Sequence, residues 1–281
     1  MAINLSTAFV TLFDAEVKQA YQAQAVLRGA VRVRSGVEGS TYKFPKIGKG
    51  VAQVRIPQTD VAPLNVSYGQ VTVTLQDYIA AEYSDIFMQA KVNFDERREL
   101  VQVVSNAIGR RQDQLILDAL TASSTSLTVG NDIGGTDSNL NVAKLRSAAE
   151  KLNAKNVPMD NRHIIIHASS LASLLGETAV TSSDFNTVKA LVQGDINSFL
   201  GFTFHVLGDR DEGGLPKDNS SDRTVYAFHR DAVGMAEGIA PKTEINYIPE
   251  KTSFLVASMF SAGAVAIDDE GIVKITCREA A

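Results

Sequence analysis

The chain has 281 residues, of which 44% are hydrophobic and 21% charged, a make-up that excludes disorder as the whole answer. Its 27 Lys and Arg against 32 Asp and Glu leave a net charge of −5, which argues against a uniformly basic nucleic-acid binder. The single cysteine, Cys277, excludes an intramolecular disulfide and a cysteine-based zinc site, and the four histidines restrict metal chemistry further.

No basic segment precedes the apolar residues of MAINLSTAFVTLFDAEVKQAYQ, so the N-terminus does not read as a secretory signal. The longest mostly apolar run, Phe254 to Ile267, is fourteen residues interrupted by Ser258 and Ser261, too short to span a bilayer. A soluble chain folding in a reducing cytosol is expected.

The first forty residues read as an arm. Phe9, Leu12, Phe13, Glu16, Val17 and Ala20 give a short helical pattern, and Gly29 to Gly39 then alternates with little to bury. Residues 41–75 carry Pro45, Pro57, Pro63, Gly48, Gly50 and Gly69 between short β-rich pieces, which fits edge strands and turns. Folded as a hairpin, this stretch would reach roughly 50–60 Å at ~3.3 Å per residue, and a lone hairpin of that kind is marginal in water. From Arg28 to Arg55 seven basic residues face Glu38 alone, a local charge of +6 that leaves −11 on the rest of a chain totalling −5. A basic extension on an acidic body suits self-association, contact with DNA phosphates, or a solvated loop.

Asn93 to Leu120 is the strongest helical signal, with Leu100, Val103, Val104, Ala107, Ile108, Leu115 and Ala119 at helical spacing and Asn93 with Glu96 as a capping box. Gly109 weakens its middle, and the TASSTSLT tract ends it. Short elements follow. Helices are expected at 141–155, 169–176 and 184–193, and strands at 162–168, 201–207, 224–228, 244–248 and 272–277. Residues 254–267 fit either state. The class is mixed α+β.

No catalytic, cofactor-binding or metal constellation emerges. His163 and His167 on a strand would stand about 13 Å apart, too far to hold one ion. Ile47-Gly48-Lys49-Gly50 lacks the upstream glycine and the following Ser or Thr of a phosphate loop. His229-Arg230-Asp231 lacks the asparagine of a kinase catalytic loop, with Ala236 in its place. Cys277 in a terminal strand reads as a buried inert thiol, and Asp268, Asp269 and Glu270 before Gly271 read as a turn.

In their order, these parts resemble the major capsid protein of tailed phages, the Hong Kong 97-type fold. The phrases that carry the likeness are KVNFDERRELVQVVSNAIGRRQDQLIL, RHIIIHASSLASLL, GDINSFLGFTFHV and DRTVYAFHRDAVGMAEG with SFLVASMFSAGAVAIDDEGIVKI. The resemblance implies an N-terminal arm (1–40) and an extended β-hairpin loop (41–75). It implies a peripheral domain (76–124 and 241–281) built on a spine helix at 94–120, and a mixed α/β axial domain (125–240). It further implies hexamers and pentamers closing into an icosahedral shell around double-stranded DNA, with a portal and, in some relatives, a decoration protein. Because the arm starts at Met1, a separate scaffolding protein and no cleavage of this chain are expected, and no covalent cross-links. The residues expected to touch neighbouring subunits are Arg28, Arg32, Arg34, Lys43, Lys46, Lys49 and Arg55. An encapsulin-type shell enclosing cargo enzymes and an α/β enzyme with an unrecognised site remain as alternatives.

Overall fold

The computed structural model describes residues 24–55, 57, 58, 60, 63–91, 95–177, 198–210, 212–218 and 221–279. The helices expected over residues 9–20 and 184–193 lie outside these. The elements, in chain order, are β1 (Arg32–Ser35), β2 (Thr41–Ile47), β3 (Tyr68–Thr74), β4 (Gln76–Asp85), α1 (Ile86–Gln89), α2 (Glu96–Ala122) and β5 (Thr128–Val129). There follow α3 (Val142–Ala154), β6 (Arg162–His167), α4 (Ala168–Leu175), β7 (Ser198–Phe199), β8 (Phe202–Leu207), β9 (Asp222–His229), β10 (Val233–Ile248), β11 (Ser253–Ala266) and β12 (Ile272–Arg278).

The chain forms helix α2 because a buried stripe recurs every fourth residue through Val104, Ile108, Gln112, Ile116 and Leu120, apolar at all but Gln112. Its 27 residues span about 40 Å at 1.5 Å each. Glu96 and Glu99 favour the positive end of the helix dipole. The N-cap is Asp95, not the expected Asn93, which is outside the described residues, and Glu96 instead accepts a hydrogen bond from Ser84 Oγ at 2.7 Å. Ser123 closes the far end by donating its hydroxyl to Leu120 O.

A four-stranded sheet, in order β1-β10-β11-β4, packs one face on α2. Arg97 stacks over Phe254 and Arg111 over Tyr78, which itself stacks on Phe260. The residues 254–267 that suited either state are thus strand, because β10 and β4 flank them and complete their backbone hydrogen bonds. A six-stranded sheet, in order β5-β12-β9-β6-β8-β7, packs Ile165, Tyr226 and Phe228 against Ile116, Leu117 and Leu120 of α2. Its other face meets α3 and α4 through Leu145, Ala148, Leu152 and Leu174. Lys144, buried in α3, donates to Ser138 O at 2.6 Å and Thr276 O at 2.8 Å, tying α3 to β12, and burial lowers its pKa. Cys277 beside it is fully buried, and burial pushes its thiol up to about 12, so it stays protonated and inert.

β12 lies in the six-stranded sheet, paired with β9, whereas β10, from Val233 on, and β11 lie in the four-stranded one. The stretch Gly29 to Gly39 is corrected. Leu27, Ala30 and Val31 are fully buried in the core on α2, and β1 pairs in parallel with β10. The body of the same chain supplies the partner that an alternating segment needs.

The last strand ends in a buried carboxylate. Glu279 accepts from Arg223 Nε and Lys217 Nζ, each at 2.7 Å, and from the Ser169 hydroxyl, with His167 Nδ1 at 3.0 Å. Burial alone would raise its pKa, but Lys217, Ser169 and Arg223 outweigh burial and hold it at about 2. A depressed carboxylate stabilises the fold above its unfolded value of 4.5 and loses that contribution as pH falls toward about 2. The urea midpoint of the wild type is therefore expected to fall between pH 4.5 and pH 2, and Glu279→Gln should lower the midpoint at pH 7 and flatten this dependence. An identical pH profile in both proteins would remove Glu279 from the role.

Candidate assembly interface

The described chain begins against α2. Val26 N and Leu27 N donate to the carboxylate of Asp113, at 3.0–3.2 Å, with Arg210 Nη1 at 3.5 Å behind it. Asp113 has a fully buried side chain, and burial raises its pKa while the two amides and Arg210 oppose that. Gly109 is the other half of this seat, since a Cβ there would lie 3.1 Å from Ala25 Cβ. The glycine that weakens the helix as a sequence feature lets the arm approach it closely.

The β2–β3 hairpin rises from the four-stranded sheet. Its ladder runs from Thr41 opposite Thr74 to Ile47 opposite Tyr68, seven pairs or about 23 Å. One further rung joins Gly48 N to Ser67 O at 2.8 Å. Among the described residues from 49 to 66 none is in a strand, so the regular hairpin is shorter than the 50–60 Å expected. The base is anchored by Phe44 and Val73 packing on Ala236 and Ile267. Gly263 lies under the stem, where any Cβ would collide with Thr74 O.

The seven expected contact residues divide into two groups. Arg28 forks onto Glu237, with Nε to Oε1 at 2.8 Å and Nη2 to Oε2 at 2.9 Å, and Ser35 Oγ donates to the same carboxylate. Arg28 holds the buried Glu237 carboxyl below the usual range. Lys46 pairs with Asp268 at 2.8 Å and Lys49 with Glu270 at 2.7 Å. Glu270 is shared with Lys155 at 3.1 Å, and the two lysines hold it at about 2. The acidic triplet at 268–270 is the expected turn, and it also clamps the hairpin to its own body. These three basic residues thus have acidic partners within the chain. Arg32, Arg34, Lys43 and Arg55 are exposed and make no ion pair among the described residues.

Sequence reasoning missed the apolar surface beside these cations. On the hairpin Ile47, Val51, Val54, Leu64 and Tyr68 are exposed, Val54 to 92%. The face of the four-stranded sheet away from α2 carries Ile79 across from Met259 and Tyr83 across from Leu255. Ile79 is 69% exposed, and Phe87 of α1 is 67% exposed. Bare apolar area of this kind marks a surface that is covered in use. The signal for it was the alternation in β4, which shows two half-apolar faces where one helix can cover only one.

Comparisons with known proteins agree with this geometry. The sequence profile described as phage capsid protein matches residues 5–279. No curated protein matches the chain. The capsid of the cyanophage P-SCSP1u superposes with a TM-score of 0.75 at 15% identity, covering 100% of this chain and 96% of that one. The acid-stable capsid of Helicobacter pylori bacteriophage KHP30 gives 0.75 at 12% identity, over 99% and 98%. The structure of Mycobacterium phage Che8 gives 0.71 at 17%, over 94% and 95%. The chain belongs to the phage capsid protein family, and its mixed α+β architecture is the Hong Kong 97-like fold of tailed-phage capsids. It is a structural subunit of the virion shell and self-associates to build it. Among the described residues no helix is long and apolar enough to cross a membrane.

Gly263→Ala is expected to lower stability by about 1–3 kcal/mol through overpacking under the stem. Amide exchange in β2 and β3 should quicken more than exchange in α3. An unchanged melting temperature, or loosening spread evenly over the fold, would show that the stem does not rest on β11.

Proposed function

We propose that this chain is the major shell subunit, closing through hexamers and pentamers into an icosahedral capsid around double-stranded DNA. The observation that carries the reading is the uncovered apolar hairpin and sheet face in a chain of the capsid family. Each face alone is an aggregation hazard, and closed symmetric assembly removes it by giving every copy the same neighbours. The arm and hairpin serve as the reaching parts. The body between them divides into a peripheral part on α2 and the four-stranded sheet, and an axial part on the six-stranded sheet.

Arg32, Arg34, Lys43 and Arg55 are the cations left to meet acidic surfaces of neighbouring subunits. Charge complementarity of this kind steers encounter and sets register more than it adds affinity. A separate scaffolding protein, a portal and a possible decoration protein complete the particle. Contact with the packaged DNA is loose and independent of base sequence, because the net charge of the chain is −5. The subunit carries no reaction of its own.

Negative-stain microscopy of the protein, expressed alone and with its neighbouring genes, is expected to show shells, tubes or rings of hexamers. Native particles should protect DNA from nuclease. Particles filled with protein cargo and free of nucleic acid would overturn the DNA reading, and small discrete oligomers in both preparations would overturn assembly. Arg34→Glu and Arg55→Glu should each cut particle yield several-fold while leaving the melting temperature of the unassembled chain unchanged. Wild-type yield in both variants would assign the contacts to other residues.

A further inference from the structure

Among the described residues the chain passes between the four-stranded and six-stranded sheets three times: from α2 to β5, from β9 to β10 and from β11 to β12. All three crossings meet at the acidic turn 268–271, which is itself the last of them. Ile267 N and Asp268 N donate to Ala232 O, at 2.8 and 3.2 Å, and so fasten the turn to the β9–β10 crossing. The two crossings are packed so closely that a Cβ on Gly271 would lie 2.7 Å from that of Ala232. Asp269 accepts from Ser124 N at 3.2 Å, just past the end of α2.

The same turn holds the hairpin and α3. Asp268 takes Lys46 Nζ from β2 and also accepts from Glu270 N at 3.2 Å, which sets the turn's own shape. The two oxygens of Glu270 are divided. Oε2 accepts from Lys49, at the end of the stem, and Oε1 accepts from Lys155, at the end of α3. One carboxylate thus ties the reaching loop to a helix of the six-stranded sheet, although the stem itself rests on the four-stranded one. Lys49 is 78% exposed and Glu270 42%, and pairs so open to water add little to folding. What a bridging carboxylate adds is direction.

We propose that the turn 268–271 is a coupling joint that holds the hairpin at a set direction to both sheets, with Glu270 as its positioning residue. Hinges are built from a few residues at the ends of elements, and three adjacent crossings are such a place. A rotation of one sheet against the other about them would carry the hairpin with it. One consequence rests on the shell reading proposed above: the reaching loop follows the bend of its own subunit, and the joint thereby selects one curvature.

The test uses the unassembled full chain with nitroxide labels at Val54→Cys, between the hairpin strands, and Asp160→Cys, exposed in the turn before β6. Cys277 is buried and takes no label. Double electron–electron resonance reads the distance between hairpin and six-stranded sheet. The labelled parent should give one narrow distribution at low salt. Lys49→Ala and Lys155→Ala should each shift and broaden it while the melting temperature stays unchanged. At about 1 M salt, where the screening length is about 3 Å, the parent should broaden in the same way and Lys49→Ala should change less. The parent distribution in both variants would overturn the joint. Broadening in Lys49→Ala alone would reduce the turn to a local clamp and overturn the coupling. Negative-stain images of the unlabelled variants should show shells of mixed diameter beside uniform ones from the wild type. Uniform shells in both variants would overturn the link to curvature. No shells from the wild type would overturn the assembly reading instead, and the distances would still decide the joint.

Discussion

The structure depends on one helix being wanted by two sheets. The stripe of α2 through Ile108, Ile116, Leu117 and Leu120 belongs to a single core cluster with Phe260 and Ala262 of the four-stranded sheet and Ile165, Tyr226 and Phe228 of the six-stranded one. The six-stranded sheet has a second core on its far face, against α3 and α4, but the core that joins the two sheets runs through α2. Burying one large apolar side chain gains roughly 1.5–3 kcal/mol, so a shared stripe makes the two halves cooperate. It also leaves α2 no face to spare for the far side of β4 and β11, where Ile79 is exposed and Tyr83 is covered only by Lys251 over its ring.

The same helix sets where the reaching parts begin. Asp113 and Gly109 lie one turn apart on it and receive the arm at Ala25 to Leu27. A buried carboxylate without partners is costly, and the two amides of the arm supply those partners. The chain then runs through β1 along the edge of the four-stranded sheet into the hairpin. There Phe44 below and the ion pairs of Lys46 and Lys49 beside it fix the direction of exit. Exposed pairs of that kind are worth little singly. Their effect is on angle more than on stability.

Local periodicity made most elements legible. The four-residue repeat of α2, the apolar centre of Ile164 to Ile166 and the Ser/Thr stop after Ala122 are all short-range signals, and the structure follows them. The resemblance supplied the order of parts. Long-range placement was not legible. Arg28 finds Glu237 across 209 residues, and His163 finds His205 across 42, and no spacing rule connects either pair. β12 follows β11 in the chain, yet it pairs with β9. Nothing in the sequence singles out Asp113, since its partners, the amides of Val26 and Leu27, lie more than eighty residues away. The candidate cations were half legible. Their excess was visible, but only coordinates separate Arg34 and Arg55, which make no ion pair among the described residues, from Lys46 and Lys49, which do.

The buried Cys277 has a practical consequence for following assembly. Its thiol is the only one in the chain, fully covered and held protonated well past neutral pH. A maleimide dye would pass it by. A second cysteine placed at Val54, 92% exposed between the two hairpin strands, would then be the sole labelling site of the native protein. One fluorophore per subunit could thus be set on the reaching loop without first removing the natural thiol, and its burial followed in time as neighbours arrive.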